Sequence, residues 1–213
     1  MTQSYIETLR VDARKDPEGW GKRSRGAARR VLSAVCFRET AESTFQKTGS
    51  ALLPTVGFYY ALFHMGIAAL YLEHRTRPAE LRMMRHGRLH KLLDLRLLQT
   101  GNLAQSYLDL LKRLQVAREY SNYVLGGKML DDADLPISRH DAQDLYGQTG
   151  AEFVHVIDFI RAVSTQLDGI LCPLDGIAVT IGDDIGDDVY QIYLSPDDEE
   201  RVTEYLVERR LTT

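Results

Sequence analysis

Between Ala51 and Leu72 the chain reads ALLPTVGFYYALFHMGIAALYL, a stretch without a single Asp, Glu, Lys or Arg. A run of that length and character has two outlets: it can cross a bilayer, or it can form the central helix of a bundle, apolar on every side because every side is covered. Pro54, Gly57, Gly66, Tyr59, Tyr60 and His64 interrupt it with polar or helix-weakening groups. These favour the bundle, so no membrane association is expected. Pro54 falls in the first turn, where its missing N–H costs nothing.

The flanking sequence supplies partners for such a helix. Residues 2–15 read as a short helix stopped by Asp16-Pro17-Glu18-Gly19, and 26–47 as a longer one carrying Val31, Leu32, Val35, Glu39 and Glu42 at helical spacing. The central helix is expected from Leu52 to about Glu73. Arg77-Pro78 opens another helix, reaching about Gln99 and closed by Gly101-Asn102. Over 103–124, Leu103, Tyr107, Leu110, Leu114, Ala117 and Ser121 step by four and three, the mark of one buried face. Ser138 is placed to cap a long helix to about Asp168, with Phe153, Val156, Ile157, Ile160 and Val163 turned inward. After Cys172-Pro173 the pattern becomes β-rich, with runs 177–181 and 189–194 around GDDIGDD. Ser195-Pro196-Asp197-Asp198 then starts a last helix. The expected fold is mainly α, an antiparallel up-and-down helical bundle over 1–171, with a β-hairpin and helix appended over 172–213.

Charge divides along the same line. Residues 1–130 hold 21 Lys and Arg against 11 Asp and Glu, a net +10, and residues 131–213 hold 5 against 19, a net −14. A basic bundle suits an anionic partner, and an acidic appendage can shield that surface or dock a protein. The densest basic segment, 74–96, contains seven Arg or Lys against two acids. Arg82, Arg85, Arg88, His90 and Lys91 are its candidate phosphate-backbone contacts, and a solvated loop and helix face is the equal alternative. The two cysteines, Cys36 and Cys172, stand in no zinc or disulfide pattern, and the first residues are polar and charged. A cytoplasmic protein with reduced thiols is the expectation. His86 and His90 have the i, i+4 spacing of metal ligands, but no neighbouring Cys or carboxylate completes a set. The Asp183–Asp188 loop lacks the spacing of a calcium loop. No metal and no cofactor are expected.

Three segments, in order, carry a resemblance. Gly57-Phe58-Tyr59-Tyr60-Ala61-Leu62-Phe63-His64 is similar to a YYAxFH-type second-helix motif. Arg85-His86-Gly87-Arg88-Leu89-His90 follows a variable loop. Arg118-Glu119-Tyr120-Ser121-Asn122-Tyr123 is similar to an Arg…(Asp/Asn)-Tyr ending. Together, over residues 26–168, the chain resembles the HEPN superfamily, and more narrowly the small bacterial HEPN proteins related to partners of minimal nucleotidyltransferases. The resemblance implies a dimerising helical bundle. It also implies RNA as partner and, for many members, metal-independent endoribonuclease activity in toxin–antitoxin systems or antiviral defence. The family's signature is an arginine followed four to six residues later by a histidine. Here Tyr123 stands five residues after Arg118 and Asn122 just before it. That departure leaves a second expectation open: a non-catalytic HEPN adaptor that binds a protein such as a nucleotidyltransferase.

Cleavage of RNA without a metal needs a group that neutralises charge on the phosphorus and a group that moves protons. Arginine suits the first and histidine the second. Arg118 and Asn122, four apart, share a helix face. Tyr123 lies about 140° round from Arg118 on a regular helix. Arg118, Asn122, Tyr123 and His64 are therefore the candidate catalytic residues. The ordinary alternatives are an interhelical ion pair for Arg118, a packed tyrosine for Tyr123 and a neutral, hydrogen-bonded core histidine for His64.

Overall fold

The computed structural model describes residues 1–50, 52–81, 84–125, 139–167 and 170. Within them the chain is a bundle of α-helices and contains no strand. The expected hairpin, the last helix and the Ser138 cap lie outside the described residues.

Helix α1 (Gln3–Lys15) starts at Thr2, whose hydroxyl accepts from the Tyr5 amide. Helix α2 (Pro17–Thr48) begins one residue after α1 ends. The sequence predicted a break over 16–19 and a fresh start at 26. Instead Asp16 both ends α1 and caps α2, accepting from Gly19 N at 2.9 Å, with Pro17 in the first turn. The Asp-Pro pair stops one helix and starts another for the same reason, since each residue is suited to a helix entrance. At the far end Gly49, with φ 65°, closes α2 by donating to Phe45 O at 2.8 Å.

Helix α3 (Leu52–Tyr71) is the apolar run. Among the described residues it is the one helix long and apolar enough to cross a membrane, and two-thirds of it is buried inside the bundle. Helix α2 and two later helices, α6 (Gln105–Leu125) and α7 (Arg139–Leu167), pack around it. Gly57 lies against Ala41 and the Phe37 carbonyl, His64 against Arg30, and Gly26 against Tyr71. The order of these contacts makes α2 and α3 an antiparallel pair. At Gly57 the approach is so close that a Cβ would sit 2.7 Å from the Ala41 methyl.

Beyond α3 the chain turns through a polar knot. Arg23 of α2 donates to the carbonyls of Tyr71, Glu73 and Thr76, and the buried Glu73 carboxylate accepts from Arg75 Nε at 2.7 Å and Thr76 Oγ1 at 2.8 Å. Carbonyls orphaned at the end of a helix thus find donors in a neighbouring side chain. The single helix predicted from Pro78 to Gln99 is divided. A short α4 (Pro78–Leu81) is followed by α5 (His86–Leu93), which continues as a π-helical segment, Asp94–Leu98. Side chains satisfy the Arg96 carbonyl in this wider turn: Arg75 Nη2 and Thr100 Oγ1 both donate to it, at 2.7 and 2.9 Å. Gly101, with φ 69°, ends the segment as predicted.

Helix α6 (Gln105–Leu125) buries Tyr107, Leu110, Leu114, Ala117 and Ser121, and Leu103 just ahead of it is buried too. The Tyr107 hydroxyl donates to Leu62 O, while Arg118 reaches Tyr60. Helix α6 is therefore antiparallel to α3. Helix α7 (Arg139–Leu167) buries the five residues the periodicity selected. Arg38 of α2, almost fully buried, lies over the Tyr146 ring at 4.1 Å and Phe153 at 5.6 Å, fastening α7 to α2.

Candidate functional site

Where α3, α5 and α6 meet, polar atoms of Tyr59, Tyr60, His86 and Glu119 converge around one of the candidate residues, Arg118. Consecutive tyrosines on α3 divide their roles: Tyr59 is fully buried and Tyr60, about 100° further round, is half-buried at the surface of the bundle. Arg118 on α6 lies with its guanidinium carbon 5.1 Å from the Tyr59 ring centre and 6.0 Å from that of Tyr60. Its Nη1 donates to Tyr60 Oη at 3.3 Å and lies 3.4 Å from His86 Nε2, and its Nη2 pairs with Glu119 at 3.5 Å. The Arg118 side chain is 12% exposed and that of Glu119 43%. Arg118 Nε is buried without a hydrogen-bond partner.

The imidazole in this cluster belongs to His86, the first residue of α5, and not to the histidine on α3 that the sequence put forward. Its Nδ1 is hydrogen-bonded to Tyr59 Oη. Because a guanidinium only donates, Nε2 must be the accepting nitrogen, so the neutral ring carries its proton on Nδ1 and donates it to Tyr59. Burial pushes the His86 pKa below the usual imidazole value, and the Arg118 charge pushes it further down against the weaker pull of Glu119. Burial also raises the Tyr59 phenol well above its ordinary range despite Arg118. At neutral pH the group is a neutral imidazole with its basic nitrogen facing a guanidinium.

His64 makes a second, adjoining group. Its Nδ1 accepts from Arg30 Nη1 at 3.0 Å, and burial, followed by the Arg30 charge, lowers its pKa to about 4. Phe37 of α2 joins the two groups. Its ring stacks on Tyr60 with centres 5.3 Å apart and on His64 with centres 5.4 Å apart. His64 thus reaches the Arg118 cluster through a ring and not through a hydrogen bond.

The remaining candidates fall into three sets. Asn122 and Tyr123 lie in the last turn of α6, and their side chains are outside the described residues, as is all of Arg82. Arg85, Arg88 and Lys91 are exposed along α5. His90 is half-buried, its Nε2 lacks a hydrogen-bond partner, and burial, then Lys112 and His86, lower its pKa. Among the described residues no three His, Cys, Asp or Glu side chains gather as metal ligands would.

Sequence reasoning missed His86, Phe37 and Arg30 as members of the site. For His86 a signal was present: it sits in the second resemblance segment, beside Arg85. The break before α5 that turns it towards Arg118 has no proline or glycine to announce it. No protein-family model, no curated protein and no solved structure matches this chain.

Proposed function

We propose that the chain is an RNA-binding protein of HEPN type, and that its Arg118–His86 centre cleaves RNA without a metal, as a cytoplasmic toxin or defence effector working as a homodimer. The observation that carries this reading is the 3.4 Å approach of Arg118 to a neutral histidine, which supplies the proton-moving group that the family signature would place after the arginine.

The chemistry uses these groups in order. A phosphodiester docking on Arg118 takes the Nη N–H groups of the guanidinium, in competition with the Glu119 carboxylate. His86 Nε2 is then free to accept the proton of the 2′-hydroxyl as its oxygen attacks phosphorus. Arg118 stabilises the charge that builds on the phosphoryl oxygens. The imidazolium, held through Nδ1 by Tyr59, returns the proton to the departing 5′-oxygen. The products are a 2′,3′-cyclic phosphate and a 5′-hydroxyl. The exposed Arg85, Arg88 and Lys91 extend the phosphate-binding surface along α5.

Purified protein incubated with mixed RNA in EDTA tests this directly. Cyclic-phosphate ends should form, and Arg118→Ala and His86→Ala should each slow their formation by about 100-fold or more. Cleavage that survives both substitutions would overturn the reading. The deep cover over Arg118, 12% exposed, favours a second reading: a HEPN adaptor that binds a nucleotidyltransferase or another defence protein and leaves RNA intact. In that case the RNA persists in the assay while a stable complex with the protein partner forms.

A further inference from the structure

Phe37 is a large aromatic residue left 39% exposed at the edge of the candidate site. An exposed apolar residue is ordinary in itself. What distinguishes Phe37 is its seat: the ring stacks on both Tyr60 and His64, side chains one turn apart on α3, with interplanar angles of 29° and 11°. The rings beneath are themselves held, Tyr60 by Arg118 at 3.3 Å and His64 by Arg30 at 3.0 Å. A cation therefore flanks the ring on either side. Arg30 lies two helical turns before Phe37 on the same stripe of α2, and Arg118 lies beyond Tyr60. The carboxylate that shares this surface, Glu119, is paired with Arg118 at 3.5 Å and accepts from Gln115 Nε2 at 2.8 Å. A pre-stacked aromatic surface between two guanidinium groups matches a nucleotide in both of its parts, a flat base and an anionic phosphate.

We infer that Phe37 is the stacking platform for an unpaired nucleobase, placed so that the adjoining phosphates meet Arg118 and Arg30. The inference rests on the RNA-binding reading above and deepens it. It makes the substrate class single-stranded RNA, because the bases of a duplex already spend both faces on their neighbours. It also makes recognition tolerant of sequence, since every base presents a π-face.

Binding of a short single-stranded oligoadenylate and of the same strand annealed to oligouridylate tests the platform on the full chain. Phe37→Ala and Phe37→Leu, the second keeping apolar bulk without an aromatic face, should each weaken single-strand binding on the order of ten-fold and leave duplex binding unchanged. Phe37→Trp should retain binding and report it. The one native tryptophan, Trp20, is 2% exposed, so quenching of solvent-exposed indole emission on adding oligoadenylate comes from position 37. If wild-type protein binds oligoadenylate, Phe37→Ala binds it equally well and the Phe37→Trp emission does not move, the platform is refuted while RNA binding stands. If wild-type protein binds neither RNA, both readings fall. If Phe37→Ala instead lowers the sedimentation mass with RNA binding intact, the ring packs between copies of the chain and the platform is again refuted.

Discussion

Arg118 Nη1 and His86 Nε2 stand 3.4 Å apart although 32 residues separate them in the chain. The two side chains share one electrostatic field, and each sets what the other can do. Burial and then the guanidinium charge hold the imidazole neutral, and the neutral imidazole offers the guanidinium an acceptor.

That field is measurable. His86 titrates below the ordinary imidazole value, chiefly through burial and then through Arg118, with Glu119 opposing. Arg118→Met should therefore raise the His86 pKa, and Glu119→Gln should lower it, as read from imidazole proton shifts in a pH series. A titration unmoved by Arg118→Met would mean that the two groups do not interact.

Stability should fall in acid. The pKa values of His64, His74, His86 and His90 are all lowered in the folded chain, so the unfolded state takes up protons first as pH drops. The contribution of each is complete above the ordinary value near 6.5 and is lost as pH falls through that value towards the folded one. For His64, whose pKa is lowered to about 4, the loss between neutrality and pH 4 is on the order of 2–3 kcal/mol. Denaturant midpoints should show this decline, and His64→Asn should flatten it.

Arg23 fastens α2 to the chain leaving α3 through three carbonyls. Arg23→Met keeps the stem but leaves those carbonyls short of a donor, at a cost of about 3 kcal/mol. Arg23→Lys should recover only part of it, because an ammonium cannot reproduce the planar fork. Urea unfolding of the three proteins gives the ranking, and a Lys variant as stable as wild type would show that charge alone suffices.

If the chain binds RNA as proposed, that binding should weaken with salt. Arg88 and Lys91 lie exposed on α5. Replacing either with Ala should lower the slope of log K against log salt by about 0.7 on single-stranded RNA, with no change in sequence preference. Unchanged slopes would place the phosphate contacts elsewhere.

The buried faces of α6 and α7 were legible in the sequence because a helix packed on one side must repeat its apolar residues every three or four positions, and Leu103 to Ser121 and Phe153 to Val163 do so. The run from Ala51 to Leu72 was legible as a central helix for the opposite reason: it has no polar face to leave outside. Asp16-Pro17 misled because the same pair that stops α1 also caps α2 and opens its first turn, so the exit was legible and the entrance was not. The division of the helix predicted over 78–99 was hidden because one of the side chains that holds the π-helical turn, Arg75, comes from 21 residues away and leaves no local motif. Arg118 could be proposed from its segment, but its partner could not, since His64 and His86 each stand in a resemblance segment and the choice between them depends on which way α5 turns.

The close approach at Gly57 bears on more than stability. The atoms that a side chain there would strike are the Ala41 methyl and the main-chain oxygen of Phe37, the latter 3.0 Å from where a Cβ would stand. A single methyl at 57 would wedge α2 away at the point from which Phe37 departs, and the ring would lift off Tyr60 and His64 although none of the three had been altered. The residue with nothing to offer a ligand sets the height of the surface on which a ligand would rest.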